Sequence, residues 1–150
     1  MPEIHRTPAV EAGNEPAAVV IHCSDPRYQL HFQHFLRESL GLDQYALLAV
    51  PGGAQFLTLV EYLPKFSWVG WRWLKFVVDL TKSERVVLIA HDDCRWYISQ
   101  RFANDEAHAR QRVVDDLRRV RAGLIERFGA RHVDLYFARL EDGHARFESL

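Results

Sequence analysis

Three side chains in this sequence could hold one metal ion: Cys23, His91 and Cys94. Cys23 closes the run Val19-Val20-Ile21-His22, and His91 and Cys94 follow Val86-Val87-Leu88-Ile89-Ala90. Both places have the same design, a β-branched apolar run ending in polar, metal-competent side chains. Two thiolates and one imidazole are soft-to-borderline donors that suit tetrahedral zinc. Three protein ligands leave a fourth position open, which marks a catalytic rather than a structural site. Cys23 alone would read as a small buried hydrophobe. A second strand end carrying His91 and Cys94 makes metal binding the better reading, and the chain's 2 cysteines both fall in this set.

Behind Cys23 come Asp25 and then Arg27, in the pattern Cys-x-Asp-x-Arg. A guanidinium beside a carboxylate keeps it ionised and fixes its orientation through bidentate hydrogen bonds. The oriented carboxylate could accept a hydrogen bond from a zinc-bound hydroxide. The plainer reading makes Asp25 a helix cap and Arg27 its surface partner. Gly52 and Gly53, after Pro51, either turn the chain or let a substrate approach closely. Asp92 and Asp93 read as solvated loop acids, or as braces for a ligand. The remaining histidines show no ligand spacing.

The pair of motifs Cys23-Ser24-Asp25-Pro26-Arg27 and His91-Asp92-Asp93-Cys94 resembles the β-class carbonic anhydrases. That family carries Cys-x-Asp-x-Arg after its first strand and His-x-x-Cys after its third. Val50-Pro51-Gly52-Gly53-Ala54 is similar to the family's glycine-rich segment, and the tail Leu135 to Leu150 to its closing hairpin, so the resemblance spans roughly residues 17 to 150. It implies Zn2+ on Cys23, His91 and Cys94, a catalytic dyad of Asp25 and Arg27, and substrate approach at Gly52 and Gly53. The implied reaction is reversible hydration of CO2 to bicarbonate by a zinc-bound hydroxide. The implied assembly is a homodimer or higher homo-oligomer. In some family members the aspartate itself swings onto the metal and closes the site.

Several positions depart from the family pattern. Arg95 stands where a glycine normally follows the last cysteine, Ala90 stands before His91 in place of glycine, and Ala49-Val50-Pro51 replaces a polar Arg-Asn. Only 22 residues precede Cys23, so the N-terminal helices that usually embrace a partner are expected to be absent. Two other functions compete: a zinc hydrolase of carbonyl sulfide or carbon disulfide, and a non-catalytic zinc-binding carbonic-anhydrase-like module. Cysteine catalysis of the tyrosine-phosphatase kind fails on spacing, because Gln29 occupies the position its arginine would need.

Composition and patterning supply the frame that must position these residues. The chain of 150 residues is long enough to bury a core, and at 48% hydrophobic it is not a disordered sequence. With 19 basic and 20 acidic residues its net charge is −1, which gives no global pull toward nucleic acid or acidic membranes. No apolar run reaches the roughly 20 residues of a membrane span, and the first residues lack the apolar core of a signal peptide. These features predict a cytoplasmic protein with reduced thiols. Residues 1–16, with three prolines, read as a flexible N-terminal arm, and 17–150 as one domain.

Along that domain the periodicity alternates between strand and helix. Strands are expected at 17–22, 45–50 and 85–90, with helices from Pro26 to near Gly41, at about 54–63 and 67–81 on either side of Pro64, and at 105–128. Strands at 132–140 and 144–147 flank the hairpin signal Asp142-Gly143. The fold class is α/β: a single domain with a mainly parallel central sheet flanked by helices and a C-terminal β-hairpin. Its first and third strands are expected to be neighbours. The band Phe66, Trp68, Trp71, Trp73 and Phe76 is too aromatic for one helix to bury alone, and reads in part as a dimer interface or a wall of the cleft.

Overall fold

Parallel strands need both faces covered, and the longest apolar runs in this chain supply strands of that kind. The computed structural model describes residues 4–9, 16–58, 64–99 and 106–150. Among these residues five strands form one sheet in the order β2-β1-β3-β4-β5. They are β1 (Val19–Cys23), β2 (Ala46–Val50), β3 (Arg85–His91), β4 (His132–Glu141) and β5 (His144–Ser149). The first four run parallel, and β5 returns antiparallel to β4 through the Asp142-Gly143 turn.

The pleat sends alternate residues of each inner strand to opposite faces. Val19, Ile21, Val86, Leu88 and Leu135 pack on one side against α2 (Pro64–Thr81) and α4 (Glu106–Phe128). Leu117, Val120 and Leu124 present the buried stripe of α4, as its apolar spacing predicts. Val20, Val87, Ile89 and Ala138 face the other way, onto Tyr28, Phe32 and Leu36 around α1 (Gln29–His34). Truncating a fully buried leucine such as Leu124 to alanine should cost about 2–5 kcal/mol.

Several boundaries differ from the sequence reading for local reasons. The helix expected from Pro26 starts at Gln29, because Pro26–Tyr28 form a turn closed by the Asp25 carbonyl accepting from Tyr28 N–H at 3.2 Å. It then widens into a π-helical turn over Phe35–Ser39. After β2 the chain makes a 3₁₀ turn, Gly53–Leu57, and the remainder of the segment read at 54–63 lies largely outside the described residues. Helix α2 is described from Pro64 onward, and the break expected at Pro64 adjoins residues 59–63, which lie outside the described residues. A short helix, α3 (Arg95–Ser99), follows Cys94 and was not expected. Of the arm read over 1–16, residues 4–9 carry neither helix nor strand and 10–15 lie outside the described residues. No helix among the described residues is long and apolar enough to cross a membrane.

Candidate metal centre

The expected contact between the first and third strands is present, with Val19 opposite Val86 and His22 opposite Ile89. Cys23 and His91 therefore leave the sheet side by side at its carboxyl end, the place where α/β sheets hold their ligands. Cys94 comes back over them after the two-residue turn Asp92-Asp93. The ligand atoms of Cys23, His91 and Cys94 all lie within 4.8 Å of one another, and all three residues are buried.

Two details test whether a tetrahedral ion fits. Thiolates about 2.3 Å from one tetrahedral zinc must lie about 3.8 Å apart. The two Sγ atoms are 3.8 Å apart, and both cysteines are free. The His91 ring pairs Nδ1 with the backbone carbonyl of Asp92 at 2.7 Å. That bond makes Nδ1 the donor and leaves Nε2 the lone pair. Nε2 is buried and has no hydrogen-bond partner. An orphaned buried nitrogen is expensive unless something occupies it, and a cation between the sulfurs would. The donor set fits zinc.

The thiols share their protons unequally. The Cys94 S–H donates to Cys23, holding the Cys23 thiol well below its ordinary range, with His91 helping. For the same reason Cys94 is pushed up, since it keeps its proton beside a thiolate. Its loop is braced from below: the Tyr97 hydroxyl donates to the buried Asp116 carboxylate at 3.0 Å, which Arg112 also holds from one turn earlier on α4. Burial, then the Asp116 charge, pushes the Tyr97 hydroxyl well above its ordinary range.

Asp25 and Arg27 meet as the sequence suggests. Arg27 Nε and Nη2 donate to the two carboxylate oxygens of Asp25 at 3.1 and 2.7 Å, and the backbone N–H of Arg27 donates to Asp25 Oδ1 at 3.0 Å. The bland and functional readings thus coincide, since the same carboxylate closes the turn and receives the guanidinium. These bonds from Arg27 lower the Asp25 carboxyl to about 2. Only 9% of the Asp25 side chain is exposed.

The sequence did not single out Asp93 as the second partner of Arg27. Its oxygens accept from Nη1 at 2.6 Å and Nη2 at 2.7 Å. Asp93 reaches this position with a left-handed backbone, φ 47°, which an Asp tolerates better than most residues. Arg27 is therefore gripped on two edges, once from each of the loops that carry metal ligands. Asp92 uses its carbonyl, not its carboxylate, to set the His91 ring.

Gly52 and Gly53 are both buried with positive φ, 75° and 56°. A Cβ on Gly52 would sit 2.3 Å from Trp96 Cδ1, and one on Gly53 3.1 Å from the Cys23 backbone nitrogen. Their bareness lets an indole and the Cys23 backbone close in. The same edge of the Trp96 indole is fixed by its Nε1–H, which donates to Gln55 Oε1 at 2.5 Å. A cavity of about 370 Å³ opens beside the ligands, walled by Cys23, Asp25, Arg27, Pro51, Cys94 and Trp96.

No family model matches the chain, and no curated protein matches it in sequence. Its shape does match solved structures. A β-carbonic anhydrase of the fungal pathogen Aspergillus fumigatus superposes with a TM-score of 0.57 at 13% identity, over 91% of this chain and 76% of that one. One from Trichomonas vaginalis gives 0.57 at 9% identity, over 93% and 87%. Tetrameric β-carbonic anhydrases from Sordaria macrospora give 0.54 at 13% identity, over 92% and 82%. The fold is that of the β-carbonic anhydrases, in agreement with the likeness carried by the two motifs.

Proposed function

We propose that this protein is a zinc-dependent lyase that hydrates CO2 reversibly to bicarbonate. One observation carries the reading: two free sulfurs at the spacing of tetrahedral zinc ligands, grouped with His91, whose buried Nε2 has no hydrogen-bond partner. Cys23, His91 and Cys94 would hold the ion. Zinc held there acidifies a bound water and so supplies hydroxide near neutral pH.

The chain's own residues do the rest. Asp25 stays ionised throughout the working pH range because Arg27 holds its carboxyl at about 2. It accepts the proton of the attacking species in a hydrogen bond and turns the lone pair toward CO2. Arg27 keeps that carboxylate in place. Both Asp25 oxygens are already engaged by Arg27, which favours an open site over one with Asp25 as a fourth ligand. Gly52 serves the substrate by letting Trp96 form a close wall, and Gly53 by letting the chain close on the Cys23 backbone. The cavity of about 370 Å³ is roomy for CO2, and this supports a second reading, attack on carbonyl sulfide or carbon disulfide at the same centre. A homo-oligomer is supported by the tetrameric Sordaria enzymes and by a stripe on α2. There Phe66, Trp73, Phe76 and Leu80 recur at heptad-like spacing, each more than half exposed. Two free thiols held apart for a metal suit a reducing, cytoplasmic setting.

Stopped-flow CO2 hydration by the zinc-loaded protein tests the proposal, with Asp25→Ala alongside. A rate above buffer that rises with pH and falls in the variant is the expected result. Zinc present with no hydration, but with hydrolysis of carbonyl sulfide, moves the assignment to the second reading. Zinc present with neither activity leaves a non-catalytic metal module.

A further inference from the structure

The cavity beside the metal ligands carries two guanidiniums that differ in one respect. Arg27 is saturated, with Asp25 on one edge and Asp93 on the other. Arg95 lies on the same cavity wall, is exposed, and has no carboxylate partner among the described residues. It is the first residue of α3, one position after Cys94, so its backbone is fixed relative to the metal ligand.

The other donors around the cavity are mostly engaged. Trp96 Nε1–H is given to Gln55, and the Ser24 backbone N–H to the Val50 carbonyl at 3.1 Å. Arg95 and the Ser24 hydroxyl remain to receive a ligand. Both stand beside the Trp96 indole, held by Gln55 and seated on Gly52. A free guanidinium fork next to a fixed aromatic wall is suited to a planar oxyanion, which it can bind through two parallel N–H donors. Linear CO2 would leave most of about 370 Å³ empty, whereas that volume falls in the usual range for small-molecule pockets.

We propose that Arg95 is an anion subsite at the mouth of the metal cavity, taking the planar oxyanion of bicarbonate or of a small organic carboxylate. The proposal rests on the reading above only for what lies deeper in the cavity. Arg95 and Trp96 line this cavity, and neither is one of the three candidate metal ligands.

The test titrates the full chain, zinc-loaded and zinc-free, with bicarbonate, acetate and benzoate, followed by calorimetry and tryptophan fluorescence. Arg95→Gln should weaken anion binding roughly tenfold or more in both metal states, the loss of one charge-assisted bidentate contact. Arg95→Lys keeps the charge without the fork and should fall between. Bicarbonate binding tighter than benzoate assigns the subsite to the product; benzoate tighter than bicarbonate assigns it to an organic carboxylate. Either upholds the inference. Equal affinity in wild type and Arg95→Gln overturns it, as does binding that requires zinc and ignores residue 95, or no saturable binding at all. Arg95-dependent binding in a chain that takes up no zinc upholds the subsite and removes the metal reading instead.

Discussion

Replacing His91 with leucine separates the demands of the metal from those of the fold. The His91 ring is 2% exposed, and its Nε2 has no hydrogen-bond partner in the protein. A buried, unpartnered polar atom costs about 1–3 kcal/mol. Leucine removes that penalty. It gives up the Nδ1 bond to the Asp92 carbonyl, worth about 1 kcal/mol, and the ring contact with Tyr28 at 4.2 Å, worth about 0.5–1.5 kcal/mol. The gains and losses nearly cancel, so zinc-free His91→Leu should melt within a few degrees of wild type. With zinc the two diverge. Free zinc at a thousandfold excess over its Kd adds about 4 kcal/mol to wild type, which for a chain of this size is about 8–16 °C in Tm. The variant has lost a ligand and should gain little. The assay is thermal unfolding followed by circular dichroism, in EDTA and with added zinc. A wild-type Tm that zinc does not move would refute the metal centre. A zinc-free variant that melts like a core-cavity mutant would refute the claim that the protein leaves Nε2 without a partner.

Three further outcomes follow from the same geometry. Gly52→Ala places a methyl 2.3 Å from Trp96 Cδ1 at φ 75°, so it should lower Tm by several degrees and change Trp96 fluorescence, whereas an unchanged spectrum would contradict the contact. Trp73→Glu with Phe76→Glu should convert a homo-oligomer to monomer in light scattering while each chain stays folded; an unchanged mass would exclude α2 as the interface. The Asp25 carboxyl is lowered from 3.8 to about 2, so its stabilising effect is full above about pH 4 and is lost as pH falls toward 2. Zinc-free wild type should therefore exceed Asp25→Asn in stability at pH 5, with the two curves converging near pH 2. Parallel curves across that window would mean that the pair contributes nothing.

The grouping of Cys23, His91 and Cys94 was legible because Cys23 and His91 each close a β-branched run, and such runs in a βαβ chain become parallel inner strands with a common carboxyl end. Position along the strand then does the rest: a side chain just past the last pleat must face the crevice. Asp25 and Arg27 were legible for a similar reason, being close in sequence and able to meet without any long-range assumption. Asp93 was not, because its role depends on a left-handed backbone and on a partner 66 residues away. The seating of Trp96 on Gly52 depends on long-range packing that spacing does not report. Helix α3 spans 5 residues, too few to show a period.

What holds the two ligand loops in register is Arg27 more than either loop's own structure. One loop carries Cys23 and Asp25, the other His91, Asp93 and Cys94, and the guanidinium donates to an aspartate on each. Gly53 lets the chain press on the Cys23 backbone from one side, while Tyr97 and Asp116 brace the Cys94 loop from another. These contacts come from both loops and surround the two sulfurs, which lie 3.8 Å apart. The residue that orients Asp25 is thus also the one that ties together the two loops carrying Cys23, His91 and Cys94.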